Sequence, residues 1–201
     1  LTKLLSATVA SELFRDQDIV TVSSTSVRVD GQKQTLFIGE RITIGNLIAM
    51  MLVESSNDAA YAIAAYAREQ NIDFVARMNQ KAAALGMDQC TFTNPAGLDD
   101  TAFCSATNLL KLVRSMIRTM PQLWAVTTNP TLTVSSVDGA TIHQIKSTNE
   151  LLEGMEGILG GKTGYTDGAL GCLVLVVKLP DKDATLVSIV LGSRGRFADT
   201  R

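Results

Sequence analysis

The sequence has one histidine, one tryptophan and three cysteines, and its charges nearly cancel. Each scarcity excludes something. With 18 Lys and Arg against 20 Asp and Glu, the formal charge is −2, so there is no basic footprint for nucleic acid. The lone His143 cannot build a zinc site with Cys90, Cys104 and Cys172 at any familiar spacing. Those cysteines are odd in number and far apart, which gives neither a disulfide framework nor a metal pattern. They are expected to be small buried hydrophobes. The strongly apolar runs, "LIAMMLV" at 47–53 and "LVLVV" at 173–177, stop at Glu54 and Lys178. Neither approaches the roughly 20 residues that span a bilayer. Repeats, low-complexity stretches and linkers are also missing, and so is a signal peptide. The chain opens inside a helical pattern (Leu1, Leu4, Leu5, Val9, Leu13), which reads as a fragment whose upstream segment lies outside this sequence.

What is present fits one domain with a sizeable core: 201 residues, 46% of them hydrophobic. Residues 18–42 alternate short β-branched runs with turns at Asp30-Gly31 and Gly39. Thr43 can cap a helix over "IGNLIAMMLVE", and a second helix begins near Asn57. Residues 72–85 form an amphipathic helix closed by Gly86, and "CTFTNPAGLDD" is loop. Ser105 caps another helix, which Pro121 ends. The second half changes period. "TLTVSSVDGATIHQI" reads as a hairpin with Asp138-Gly139 in a type I′ turn. "GCLVLVV" and "TLVSIVLG" pair across a proline-containing turn. The expectation is an α+β fold with a helical lobe, an antiparallel sheet packed with helices, and the opening helix on the strands. A site belongs in the cleft between lobes.

"GGKTGYT", Gly160 to Thr166, carries the first chemical question. A phosphate loop needs G-x-x-x-x-G-K-[ST] with a helix opening at the lysine. Glu156 stands where the first glycine is required, and "GALGCLVLVV" downstream reads as a buried strand. The phosphate reading fails. Lys162 and Thr163 are therefore side chains on a strand. Two other stretches place polar groups where elements begin: Lys3 in the first turn of the opening helix, and Ser55-Ser56-Asn57 between two helices. Alone, Lys3 reads as a solvated surface residue, Ser-x-Asn as a helix cap and Lys-Thr-Gly as a chance tripeptide. Their order does not.

Lysine, then Ser-x-Asn, then Lys-Thr-Gly resembles the S-x-x-K, S-x-N and K-T-G set of the serine enzymes that bind penicillin. With Lys3 as the lysine of S-x-x-K, the nucleophilic serine falls immediately before Leu1. The likeness narrows further. "FIGERITIGNLIAMMLVESSNDAAYAIA", "FVARMNQKAAALGMDQCTFTNPAGLDD", "STNELL", "GGKTGYTDGALGCLV" and "RFADT" are similar to segments of the serine-type D-Ala-D-Ala carboxypeptidases, the low-molecular-weight penicillin-binding proteins. The resemblance covers essentially the whole chain. It implies a β-lactamase/transpeptidase-like catalytic domain over 1–201, truncated at the N-terminus and also at the C-terminus. It also implies a bacterial, extracytoplasmic cell-wall enzyme that trims peptidoglycan pentapeptides ending in D-Ala-D-Ala and is acylated by β-lactams. No cofactor or metal is implied. Many members carry a membrane anchor outside this region.

The same resemblance assigns roles. Lys3 would be the general base, its amine brought toward usable basicity by burial and a second cation. Ser55 would relay a proton to the leaving nitrogen, and Asn57 would orient Lys3 and the substrate amide. Lys162 and Thr163 would bind the terminal carboxylate. Gly164 would leave room for substrate along the strand, and the Tyr165 N–H would share the oxyanion hole with that of the serine. Three departures stand out. Ser56 replaces a usual glycine, with little effect expected. Gly160-Gly161 is expected to loosen the strand start. Glu150 stands where an arginine is common. A class A β-lactamase shares the motifs but needs E-x-x-L-N, and none of Glu69, Glu150, Glu153 or Glu156 begins one. A non-catalytic peptidoglycan-binding or regulatory homologue of the same fold is the other alternative.

Overall fold

A computed structural model describes residues 1–27, 35–99, 101–180 and 182–201. The Asp30-Gly31 turn lies outside them. Helix α1 (Lys3–Leu13) has every residue from Lys3 to Ala10 buried. A helix buried all round is a core element rather than a surface one. Its hydroxyls are satisfied inside: Ser6 Oγ donates to Pro95 O at 2.6 Å and Thr8 Oγ1 to Leu4 O at 2.9 Å. Strands β1 (Ile19–Thr21) and β2 (Arg41–Thr43) pair antiparallel and lead into α2 (Ile44–Val53), capped by Thr43. Then come α3 (Asn57–Glu69), capped by Ser56, and α4 (Phe74–Ala84), after which Gly86 turns the chain at φ 68°. Helix α1 packs chiefly against α2 and α4. This corrects the expected placement on the strands: α1 has too little polar surface to sit anywhere but the middle of the helical layer.

Short strands β3 (Cys90–Thr91) and β4 (Phe103–Cys104) pair antiparallel, with Cys90 opposite Cys104. The two form a disulfide; only Cys172 is a free buried thiol. The expectation of three unpaired cysteines is thus wrong for two of them, because strand pairing places side chains face to face that the sequence separates by 14. Replacing both by serine should lower the unfolding free energy by about 3 kcal/mol, the scale for closing a loop of this size. Denaturant titration measures it, and an unchanged midpoint would show that the bond does not constrain the chain.

Ser105 caps α5 (Ala106–Thr119), and Pro121 opens the short α6 (Pro121–Ala125). Strands β5 (Thr131–Ser135) and β6 (Ile142–Lys146) form the expected hairpin, but not through a two-residue turn. Residues 136–141 intervene, and only Gly139 has positive φ, 71°. Ser136 Oγ donates to Asp138 Oδ1 and accepts from Thr141 N, which stabilises the longer loop from within. The last three strands, β7 (Ile158–Thr166), β8 (Leu170–Lys178) and β9 (Thr185–Ser193), make one antiparallel sheet in the order β7-β8-β9. The central strand β8 is buried from Gly171 to Val177. Val174 and Val176 join the main core, whereas Leu173, Leu175 and Val177 pack on Leu151. Alternate side chains serve opposite faces of the sheet.

Gly160 and Gly161 do not loosen the start of β7. A Cβ on Gly160 (φ +134°) would lie within 2.6 Å of Thr127 Oγ1 and closer still to Trp124 Nε1. The glycine lets the bulged strand close on that wall. Trp124 Nε1 donates to Leu159 O at 2.7 Å, and Gly161 N donates to Thr127 Oγ1 at 3.0 Å. The strand start is clamped.

Candidate active site

A cleft of about 540 Å³ runs between the helical layer and the edge of β7. Lys3, Ser55, Asn57, Lys162, Thr163, Gly164 and Tyr165 all line it. The first turn of α1 delivers Lys3, 7% exposed, whose Nζ donates to Asn57 Oδ1 at 2.7 Å and to Ala96 O at 3.0 Å. Asn57 is the first residue of α3. Ser55 stands between the end of α2 and the start of α3 with φ 65°, a left-handed conformation unfavourable for a residue with a side chain. That turn puts Ser55 in the cleft. Ser56 turns away: its Oγ accepts from Ala59 N and meets Thr35 Oγ1, each at 3.2 Å. The serine in place of glycine therefore caps α3 from behind the cleft.

On the opposite wall Lys162 and Thr163 are 2% and 4% exposed. Lys162 Nζ donates to Thr163 O at 3.0 Å, and Thr163 Oγ1 lies 2.5 Å from Thr148 Oγ1. Gly164 faces the head of α1, where a Cβ would come within 2.9 Å of the Leu1 backbone nitrogen. Close approach of two backbones is what requires glycine there. Tyr165 holds its ring outward, 63% exposed, with its hydroxyl donating to Asp167 Oδ1 at 3.3 Å.

Three groups were not singled out from the sequence. Arg196 lines the cleft, donates from Nη1 to Gly164 O at 3.2 Å, and keeps a buried Nε without a partner among the described residues. Its only sequence signal is the "RFADT" stretch. Thr148 backs Thr163 from the "STNELL" stretch. The Ala96 carbonyl has no side-chain signal at all. Glu150, by contrast, is exposed and is not among the cleft residues.

The electrostatics are lopsided. Lys3, Lys162 and Arg196 face a cleft in which Asp99 is the sole acidic residue among the described ones. Burial pulls the Lys3 amine down from its ordinary value to about 8. Burial first, then the positive charges of Lys3 and Arg196, hold Lys162 well below the ordinary lysine value. A cleft of this kind can supply a neutral amine as base and a cationic wall for an anion.

Comparison with known proteins decides the family. The sequence model described as D-alanyl-D-alanine carboxypeptidase matches residues 1–195. The chain belongs to this family. It is 27% identical to the D-alanyl-D-alanine carboxypeptidase DacF of Bacillus subtilis over 88% of this chain and 44% of that protein. Among solved structures it is similar to the D-alanyl-D-alanine carboxypeptidase DacD of Francisella tularensis, at TM-score 0.87 and 26% identity over 99% of this chain and 61% of that one. It is also similar to penicillin-binding protein D2 of Listeria monocytogenes in an ampicillin-bound form, at TM-score 0.80 and 28% identity over 99% and 82%. The chain spans about half the length of the curated relatives it matches. The α+β fold of the DD-peptidases is thereby established for this carboxypeptidase-family chain.

Proposed function

We propose that this chain is the catalytic domain of a serine-type D-Ala-D-Ala carboxypeptidase whose nucleophile is a serine bonded directly to Leu1. One observation carries the reading. The Leu1 nitrogen lies against Gly164, in a cleft where Lys3 already holds Asn57 and Lys162 stands opposite. A residue attached to that nitrogen enters the cleft one helical turn before Lys3, on the same face.

The proposed chemistry is acyl transfer through that serine. The serine hydroxyl gives its proton to neutral Lys3 as its oxygen attacks the carbonyl carbon of the penultimate D-Ala. The carbonyl oxygen becomes an oxyanion held by the N–H groups of the serine and Tyr165. The C–N bond then breaks as Ser55 passes the proton from Lys3 to the leaving nitrogen, and free D-Ala departs. Water, deprotonated by the same amine, cleaves the serine ester and regenerates the enzyme. Lys162 and Thr163, with Arg196 beside Gly164, form the cationic wall that takes the terminal carboxylate. A β-lactam meets the same nucleophile, but no E-x-x-L-N glutamate stands ready to release it, so its ester is long-lived. The substrate is a peptidoglycan pentapeptide in an extracytoplasmic compartment. The Cys90–Cys104 disulfide supports that location, since such bonds persist where the surroundings are oxidising.

Mass spectrometry of the protein together with its native upstream residues tests the reading. One penicillin equivalent should add to a serine preceding Leu1 and leave slowly. Another residue at that position, or no mass gain, turns the assignment to a non-catalytic peptidoglycan-binding homologue.

A further inference from the structure

The neutral form of a lysine amine has two hydrogens and one lone pair, so a base is aimed only if both hydrogens have fixed acceptors. Lys3 Nζ has two: Asn57 Oδ1 at 2.7 Å and Ala96 O at 3.0 Å. Asn57 is anchored in α3. The Ala96 carbonyl belongs to a loop, and its aim depends on what fixes its peptide plane.

That plane is fixed by one side chain. Asn94 Oδ1 accepts from three successive amides: Ala96 N at 3.0 Å, Gly97 N at 2.7 Å and Leu98 N at 3.2 Å. The shortest bond is the telling one. Gly97 N–H and Ala96 C=O are the two ends of a single planar trans peptide, and they point in opposite directions. Holding the N–H on Asn94 therefore turns the carbonyl onto Lys3. The loop around this unit is pinned separately. Pro95 O accepts from Ser6 Oγ at 2.6 Å, and Phe92 exchanges two hydrogen bonds with the Asn79 carboxamide. Gly97, at φ +76°, packs against Thr2 so closely that a Cβ would lie 2.4 Å from its Oγ1. The backbone has one way through.

We propose that Asn94 is a positioning residue for the base: it orients the Ala96–Gly97 peptide so that Lys3 presents its lone pair to the nucleophile. This rests on the acylation chemistry given above and deepens it. Asn94 touches no reacting atom; it acts through one peptide group. The carboxamide oxygen is what matters, so an aspartate at 94 can accept the same three amides while adding a negative charge near the amine.

The test is the pH profile of penicillin acylation, measured per folded molecule on the protein with its native upstream residues. Asn94→Ala should lower the high-pH plateau at least about 10-fold, the scale of a misaimed reacting group. Asn94→Asp should restore the parental plateau but shift the midpoint to higher pH, since a nearby carboxylate favours the ammonium form. If Asn94→Ala does not fold, the Asp variant still decides, because a reduced plateau there overturns the assignment. A parental plateau and midpoint in Asn94→Ala also overturn it while leaving the enzyme reading intact. Failure of the parent to acylate at all removes both together.

Discussion

Lys162→Ala is expected to slow penicillin acylation and peptide turnover by about 100-fold or more, the loss typical of one preorganised electrostatic contact in a dry site. The expectation has two sources. Lys162 is 2% exposed on the wall where an anionic end would bind, and a charge contact there is screened far less than one in water. An empty cleft holds its amine well below the ordinary lysine value, through burial and the charges of Lys3 and Arg196. An arriving carboxylate reverses that balance and favours the Lys162 ammonium. Removing Lys162 thus takes the buried cation away from the proposed anion site. Thr163→Ser keeps the hydroxyl beside Thr148 Oγ1, and its effect should be mild. Thermal melting separates this from misfolding, because deleting a buried, largely desolvated amine need not destabilise the fold. Acylation of Lys162→Ala at the parental rate would remove the residue from the mechanism.

How far the sequence reveals these relations depends on whether a side chain or the backbone does the work. Lys3, Ser55, Asn57 and Lys162 are legible because each sits where an element begins and their order matches a known set. The structure brings all four to one cleft. The helices of the first half are legible for a related reason: Thr43 and Ser105 do act as N-caps. The disulfide is not legible, since three cysteines leave the pairing open until strand register puts Cys90 opposite Cys104. Nor is the second acceptor of Lys3. Any residue could supply the Ala96 carbonyl, and its only trace in the sequence is Asn94, which reads as an ordinary loop breaker. The two glycines before Lys162 mislead for a physical reason. Glycine weakens an isolated strand, but here the missing side chain makes room for Trp124 and Thr127.

The acylation rate should climb with pH through a midpoint near 8, the value to which burial brings the Lys3 amine. The sign follows from the role. In the proposed role the base is the neutral amine, so each pH unit below the midpoint removes about nine-tenths of the active form, and near pH 6 about a hundredth of the plateau rate remains. Lys3→Met keeps the length and apolar stem of the side chain but has no lone pair basic enough to take the proton. It should lower the plateau by roughly 10² to 10⁴, the range of a lost general base, and erase the pH dependence near 8. Stability offers an independent reading of the same group. The folded Lys3 releases its proton near 8, the unfolded one near the ordinary lysine value of 10.5. Between those values the unfolded chain binds more protons, so Lys3 makes the protein more stable as pH rises across that window. Below it, both states are protonated and the cost of burying the charge is fully present. Lys3→Met should therefore flatten the rise in unfolding free energy between pH 8 and 10.5 as well as abolish the kinetic limb. A variant that keeps the parental rate and pH profile would show that another group takes the serine proton.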